Sequence, residues 1–275
     1  MDDLILQHEP VLRLGAFVAV LAAMMVWELI APRRRQEIPR LVRWSNNLAM
    51  IAVDTAILRL AFPLLAVGFA AFAQERGWGL LNLVAIPNWL TIAIAFVALD
   101  LAIWAQHVAF HKVPLFWRFH RMHHSDTAFD ATTGVRFHPG EIALSMAYKL
   151  ALVAALGAPP LAVLLFEVVL NATSMITHGN VTLGRLDPLV RWLFVTPDMH
   201  RVHHSAQRVE TDSNYGFNFS LWDRLFGTYR AQPQDGHEGM TIGIERFREP
   251  REAWLDRMLW QPFARGNGPD RARRR

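Results

Sequence analysis

The 275-residue sequence contains no cysteine. This absence excludes disulfides, thiolate-ligated iron–sulfur clusters, thiolate-bound haem and cysteine nucleophiles. The sequence has no H-E-x-x-H, which excludes a zincin protease, and no Glu-x-x-His, which excludes a soluble carboxylate-bridged di-iron bundle. Charge is also scarce, because 19% of the residues are charged while 52% are hydrophobic. This balance departs from that of soluble proteins and favours a membrane protein.

Five apolar runs divide the chain. They cover residues 11–30, 47–73, 88–110, 141–156 and 161–175. A bilayer core needs about 20 mostly apolar helical residues, which the first three runs supply. Gly157-Ala158-Pro159-Pro160 separates the two shorter runs, and such a break indicates a helical hairpin that either spans the bilayer or enters it from one side. The sequence therefore predicts an all-α integral membrane protein with about four to five membrane-embedded helices.

Arginine is distributed unevenly between the connecting loops. Loop 31–46 carries five arginines, whereas loop 74–87 carries only Arg76. By the positive-inside rule the first loop is cytoplasmic and the second lies on the far side. The start Met1-Asp2-Asp3 lacks a basic leader, so we expect the first run to remain as an anchor. The net charge is +4, but no basic stripe interleaves with aromatics, so we expect no nucleic-acid binding.

Ten of the twelve histidines lie between residues 107 and 204, most of them in spaced clusters. They are His107 and His111 in H-x-x-x-H, His120, His123 and His124 in H-x-x-H-H, the single His138 and His178, and His200, His203 and His204 in a second H-x-x-H-H. Residues at i, i+3 and i+4 share one helix face, so we expect each triplet to direct three imidazoles at one point. Imidazole suits iron, zinc and copper.

The number of histidines indicates how many ions they hold. Since one ion takes about four to six ligands, ten histidines favour two metals. A bis-histidine haem would leave both triplets unexplained. A metal transporter would place histidines along a pore, whereas these crowd one face of the predicted membrane region. A redox-silent zinc hydrolase stays open at this point.

The order of these clusters resembles that of the fatty acid hydroxylase / sterol desaturase superfamily, most closely its bacterial members. The similarity runs from about Leu99 to Tyr229, roughly half the chain. The matching segments are Asp100-x-x-x-Trp104-x-x-His107, Arg136-Phe137-His138-Pro139, Thr196-Pro197-Asp198-Met199-His200, Asn214-Tyr215-Gly216 and Trp222-Asp223-Arg224-Leu225-Phe226-Gly227-Thr228. Ser174 departs from the pattern, because some relatives carry a second histidine there; one ligand fewer, or a water, is the expected consequence.

The resemblance implies a non-haem di-iron centre (Fe2+/Fe3+, with zinc as a substitute) that uses O2 to oxidise a C–H bond of a fatty acyl or sterol-like lipid. Hydroxylation is the main expectation. Desaturation or methyl oxidation by the same centre is the nearest alternative, and a zinc hydrolase or a membrane metal-binding protein is more remote. The sequence contains no cytochrome b5-like, flavin or ferredoxin segment. Electrons are therefore expected from an external ferredoxin, cytochrome b5 or reductase.

The resemblance also implies roles for individual residues. The expected metal ligands are His107, His111, His120, His123, His124, His138, His178, His200, His203 and His204. Asp100 lies seven residues before His107 on the same helix face, and we expect it to orient a ligand imidazole. Asp198 and Asp223 are expected to support the site from nearby. His8 and His237 lie outside the clusters and are expected to be solvated.

Three regions follow from this reading. We expect N-terminal membrane anchor helices over residues 1–98, a histidine-box catalytic domain with the hairpin 141–176 over 99–230, and a polar C-terminal tail over 231–275. The Gly-Asn-Gly and arginine-rich end of that tail is expected to be partly disordered. The histidine-rich site is expected at the cytoplasmic face of a bacterial inner membrane, with a membrane lipid as substrate.

Overall fold

The computed structural model describes residues 2–264. Within that range the chain is helical and contains no β-strand, only the isolated bridges Phe194–Phe219 and Ser205–Ile242. The predicted all-α class is therefore confirmed. The α-helices of the described range are α1 (Asp2–Gln7), α2 (Glu9–Ile30), α3 (Arg40–Ala61), α4 (Ala66–Glu75), α5 (Asn88–Lys112), α6 (Pro114–His124), α7 (Pro139–Leu156), α8 (Pro160–Thr177), α9 (Asp187–Val190), α10 (Pro197–His203), α11 (Arg208–Thr211), α12 (Leu221–Leu225), α13 (Gly236–Gly239) and α14 (Leu255–Trp260).

Five stretches of the described chain are long and apolar enough to cross a membrane. They are Glu9–Ile30, Arg40–Leu83, Asn88–Lys112, Pro139–Leu156 and Pro160–Thr177. The second expected run, 47–73, is one apolar stretch but two helices, since α3 ends at Ala61 and α4 begins at Ala66. Pro63 lies in the gap, and a proline inside a helix removes a backbone hydrogen bond and clashes with the preceding turn.

The predicted hairpin is present as α7 and α8. Gly157 ends α7 in the left-handed conformation, with φ of 69°. The tip packs so closely against the α4–α5 loop that a Cβ on Gly79 would lie 1.9 Å from the Gly157 nitrogen. The loop joins α4 to α5 at the end of the bundle opposite the histidines. The α7–α8 hairpin therefore extends along the bundle as far as the neighbouring spans do.

The main apolar core lies between α4, α5, α7 and α8. Its fully buried members include Leu99 of α5 and Val163 and Phe166 of α8. Outward-facing leucines such as Leu41 and Leu60 are 79% and 87% exposed. Apolar side chains thus occupy both the core and the outer surface, as expected where lipid replaces water around the helices.

The histidine clusters meet at one end of the bundle. The last two turns of α5 and the end of α6 carry the first two clusters, His178 follows α8, and α10 carries the last triplet. Pro114 occupies the first turn of α6, a position where its missing N–H is not needed, and so allows a sharp turn out of α5.

The segment after residue 230 packs against this same end. Met258 of α14 forms a buried cluster with Met50 and Met122, and Ser125 Oγ donates to Gln261 Oε1 at 2.8 Å. The division into three regions stays a prediction. The expected disorder at the Gly-Asn-Gly and arginine-rich end falls on residues 265–275, outside the described range.

Candidate metal centre

Nine of the ten predicted ligands form two buried groups. The five-histidine group contains His107, His111, His120, His124 and His203, and the four-histidine group contains His123, His178, His200 and His204. Within each group, one nitrogen per imidazole lies within 4.8 Å of all the others. Each of the nine residues is at most 3% exposed. The structure thus assembles two candidate metal positions from residues spread over 98 positions of sequence.

Each H-x-x-H-H triplet is divided between the two groups. His120 and His124 join the five-histidine group while His123 joins the other, and in the second triplet only His203 joins the five-histidine group. The expectation that a triplet converges on one point is therefore wrong. Consecutive residues of a helix point about 100° apart, so adjacent histidines reach two different points. The rings of His124 and His204 stack at 4.4 Å, which places the two groups side by side.

The spacing of the imidazole nitrogens fits bound metal. In the five-histidine group, His107 Nε2 lies 3.1 Å from Nε2 of both His120 and His203. In the four-histidine group, His178 Nε2 lies 3.0–3.1 Å from the Nε2 atoms of its three neighbours. Metal–imidazole bonds of about 2.1 Å place nitrogens about 3.0 Å apart at right angles and about 3.4 Å apart in a tetrahedron. The donor set therefore fits a five- or six-coordinate ion better than tetrahedral zinc.

Backbone carbonyls fix the tautomer of four imidazoles. The Nδ1–H groups of these histidines donate to Tyr215 O (His107, 2.7 Å), Arg136 O (His123, 3.1 Å), Ser174 O (His178, 2.6 Å) and Ser213 O (His203, 2.6 Å). With the proton on Nδ1, the Nε2 lone pair faces the centre of the group, as a metal ligand requires. Burial lowers the pKa of His178 to about 4, so this imidazole is neutral at physiological pH.

Two carboxylates lie behind imidazoles of the five-histidine group. Glu141 Oε1 accepts from His120 Nδ1 at 2.7 Å, and Asp212 Oδ1 lies 3.4 Å from His111 Nδ1. Glu141 is 3% exposed and sits in the first turn of α7. Sequence reasoning missed both residues. For Glu141 the sequence did offer a signal, since this acidic residue starts an apolar run three positions after His138.

Asp100 was expected to orient a ligand imidazole, but its hydrogen bonds go to other residues. Its Oδ1 accepts from Asn218 Nδ2 at 2.8 Å, and its Oδ2 accepts from Trp222 Nε1 at 2.7 Å. Asn218 belongs to the segment whose Tyr215 carbonyl accepts from His107. Asp100 is therefore connected to His107 through this segment and not by a direct hydrogen bond.

Asp223 and Asp198 hold backbone around the centre. Asp223 accepts from the N–H groups of Tyr215 and Gly216, both at 2.8 Å, and burial raises its pKa. Burial alone would raise the pKa of Asp198, but its ion pair with Arg201 keeps that pKa below the usual value. Arg201 in turn donates to Gly179 O at 3.0 Å, which ties α10 to the residue after His178.

Three histidines lie outside both groups. His138 caps α7, with Gly140 N–H donating to its Nδ1 at 3.0 Å and its Nε2 lying 3.2 Å from Leu259 O, so the structure does not bring this predicted ligand to either group. His8 is exposed, as expected. The expectation that His237 is solvated is wrong, because it is 7% exposed and its Nδ1 lies 4.0 Å from Asp198.

Ser174 occupies the position where the resemblance led us to expect one ligand fewer. Its hydroxyl donates to Gly134 O at 2.7 Å, while its carbonyl accepts from His178 Nδ1. The smaller of the two groups is the one that contains His178. Ser174 thus contacts the grouped His178 through its backbone carbonyl.

Comparison with known proteins gives a consistent result. The profile of the fatty acid hydroxylase family matches residues 92–228, about half the chain. Similar proteins include the ornithine lipid hydroxylase of Rhizobium tropici (32% identity over 65% of this chain and 52% of that protein), the alkylglycerol monooxygenase of Homo sapiens (29% over 62% and 37%) and a very-long-chain aldehyde decarbonylase of Oryza sativa subsp. japonica (28% over 80% and 36%). The match thus spans about half of the bacterial relative and less of the others. No solved structure matches the chain.

Proposed function

The chain belongs to the fatty acid hydroxylase / sterol desaturase superfamily, and from this premise we propose that it is a membrane-bound di-iron oxygenase that hydroxylates a C–H bond of a membrane lipid. It would use O2 and electrons from a separate ferredoxin, cytochrome b5 or reductase. The observation that carries this proposal is the pair of adjacent, buried imidazole groups with nitrogen spacings of 3.0–3.1 Å.

The nine grouped histidines are the proposed ligands. When bound, two iron ions would supply the activation of O2, a chemistry that side chains alone do not provide. The carbonyls of Tyr215, Arg136, Ser174 and Ser213 hold the imidazoles in the ligating tautomer. Glu141 accepts from His120 and makes that ligand more basic, as carboxylate partners of ligand imidazoles do.

Aromatic side chains close the sides of the centre. The Phe137 ring stacks on His123 at 4.5 Å, and the Phe129 ring lies 4.9 Å from His204. Phe217 borders both groups, with its ring 4.9 Å from His107 and 6.3 Å from His200. These apolar walls keep water away from the reacting atoms, which limits side reactions of an oxidising centre.

A membrane lipid is the proposed substrate. α5 is a candidate span, and its last two turns carry His107 and His111, so the centre adjoins the bilayer without an intervening domain. One relative is an ornithine lipid hydroxylase and another an alkylglycerol monooxygenase, which favours hydroxylation of a polar lipid over desaturation.

We place the centre at the cytoplasmic face of a bacterial inner membrane. The arginine-rich loop between α2 and α3 lies at the histidine end of the bundle, since Arg33 N–H donates to Asn180 O at 2.7 Å and Arg34 NH1 donates to His237 O at 2.6 Å. The positive-inside rule puts that loop in the cytoplasm, where cellular reductants are available.

The test is a reconstituted reaction. The purified chain in lipid nanodiscs, loaded with Fe(II) without oxygen, receives a chemical or enzymatic electron source, ¹⁸O2 and a total lipid extract. The proposal expects one lipid class to gain one ¹⁸O atom, with no gain in the His204→Ala variant and full gain in the matched His8→Ala control. A product that lacks two hydrogens and carries no ¹⁸O would contradict hydroxylation, and turnover without O2 would contradict an oxygenase.

A further inference from the structure

After the last histidine triplet, the chain runs back along α5 towards the middle of the bundle. Tyr215 O accepts from His107, Asn218 bonds to Asp100, and the Phe219 ring lies 6.3 Å from that of Phe96. At 1.5 Å per helical residue, Asp100 lies about 10 Å and Phe96 about 16 Å from His107 along α5, in the direction of the N-terminal end of that helix, which we call below the centre. Residues 215–219 thus descend from the metal centre to that depth.

α8 gives the same depth independently. Asn218 Oδ1 accepts from the hydroxyl of Thr173, which lies about one turn inside the end of α8. The Phe96 ring that meets Phe219 also meets Phe166, at 5.5 Å, about 18 Å below His178 along α8. Both helices are candidate spans. Since a bilayer core is about 30 Å thick, Phe219 lies near its middle if the metal centre lies at its edge.

The irregular backbone of this segment is paired within the protein. Non-helical chain at membrane depth is tolerated only where its polar groups are satisfied internally. The bonds are Val195 N–H to Asn218 O (3.0 Å), Ser220 N–H to Leu193 O (3.0 Å), and Tyr215 and Gly216 N–H to Asp223 (2.8 Å each). Asp100 accepts from the side chains of Asn218 and Trp222. Asp100 and Asp223, both buried, thereby satisfy the polar groups of a segment that packs against the span α5.

The outer face of the same segment carries five exposed apolar side chains and one exposed cation, Arg224, whose guanidinium donates to Arg191 O at 2.9 Å. We call this face the apolar rim; it consists of Trp192 (66% exposed), Phe194 (46%), Leu221 (36%), Leu225 (69%) and Phe226 (52%). Its two stretches are joined, since Ser220 Oγ donates to Arg191 O at 2.7 Å and the rings of Phe194 and Phe219 stack at 5.7 Å.

The apolar rim is continuous with the lipid-facing surface of α5. The Phe226 ring stacks on Trp104 of α5 at 4.6 Å. Val97, one residue after Phe96 on the same span, is 43% exposed. Water would meet a large hydrophobic patch here, whereas acyl chains would extend the environment that already surrounds α5.

We propose that residues 192–194 and 219–226 are inserted in the bilayer and that the apolar rim contacts lipid acyl chains. This segment is not one of the five candidate spans and enters the membrane region only through its packing against α5 and α8. The proposal concerns location and does not depend on the oxygenase activity.

The test uses single cysteines in this cysteine-free chain, labelled with a nitroxide in lipid nanodiscs. Leu225→Cys and Trp192→Cys are compared with Val97→Cys on the span and Gln232→Cys, an exposed polar position seven residues after Leu225. Collision with O2 and with a water-soluble nickel complex is measured by electron paramagnetic resonance. Both rim labels should give an O2-to-nickel ratio at least several-fold above that of position 232. Because Phe226 packs on Trp104, nearer to His107 than Val97 is, the Leu225 ratio should not exceed that of position 97.

Two results would overturn the proposal. A ratio like that of position 232 would place the rim in water, and low accessibility to both reagents would show that protein, such as a second copy of the chain, covers it. Because Leu225 is largely exposed, its replacement removes no buried packing. Phe226→Cys provides a third position, and elution as a single species confirms that each labelled chain is folded.

Discussion

Replacing Glu141 with glutamine tests whether the two metal positions differ. Glu141→Gln keeps the shape and the acceptor oxygen but replaces the carboxyl group behind His120, whose anionic form a metal ion bound to that imidazole would favour. Loss of such a partner typically lowers metal affinity about 10–100-fold. Because the oxygen lies 2.7 Å from His120 Nδ1 and the side chain is 4% exposed, water screens this charge little. We expect the upper part of that range, about 2–3 kcal/mol.

Asp212 provides a graded comparison within the same group. Its Oδ1 lies 3.4 Å from His111 Nδ1, its side chain is 12% exposed, and it also pairs with Lys112 and Arg208. We therefore expect Asp212→Asn to lower affinity about tenfold or less. The four-histidine group has no carboxylate behind it in the described structure, so its metal should be unaffected by either change.

The assay is equilibrium competition with a chelator, with iron per chain measured at each chelator concentration. Glu141→Gln should lose one of two metals where the unmodified chain retains both, and the second metal should leave at an unchanged concentration. Glu252→Gln is the matched control, because its carboxylate accepts from Gln261 rather than from a histidine. Unchanged retention in Glu141→Gln, or equal weakening of both metals, would refute the reasoning.

Three further outcomes follow from the same geometry. In intact cells Arg76→Cys should react with an impermeant thiol reagent and Arg208→Cys should not, and the reverse pattern would invert the topology. Asp100→Asn should slow the reaction while leaving both metals bound, as quantified by iron per chain, because it acts through residues 215–222. Because burial lowers the pKa of His178 from about 6.5 to about 4, this imidazole alone should cost the metal-free chain up to about 3 kcal/mol of stability as pH falls from 6.5 to below 4, and nothing above 6.5. The other buried histidines with lowered pKa values add to this loss, so the total, measured by chemical unfolding across that range, should exceed it.

Local pattern was enough to predict the spans and the histidine clusters. Apolar runs and histidine spacing are properties of neighbouring residues, so the all-α class, the hairpin at Gly157 and nine grouped histidines agree with the structure. The break at Pro63 was also visible in the sequence, but the continuous hydropathy around it concealed the separation of α3 from α4.

The features that sequence analysis missed or predicted wrongly depend on contacts between residues that are far apart in the sequence. Asp100 bonds to residues more than a hundred positions away, and no periodicity links it to Asn218. The division of each triplet depends on which direction α6 and α10 face once packed. Glu141 contacts His120 only because α7 begins beside the end of α6, and His237 is buried because the segment after residue 230 folds over α10.

The most direct test of the account is the number of metal ions per chain in single-ligand variants. The unmodified protein, loaded with Fe(II) and freed of loosely bound metal, should hold two irons. His124→Ala removes a ligand of the five-histidine group and His204→Ala one of the four-histidine group, so each should hold about one iron and form no oxidised lipid. One iron in the unmodified chain, or full oxidation by either variant, would contradict a two-metal centre.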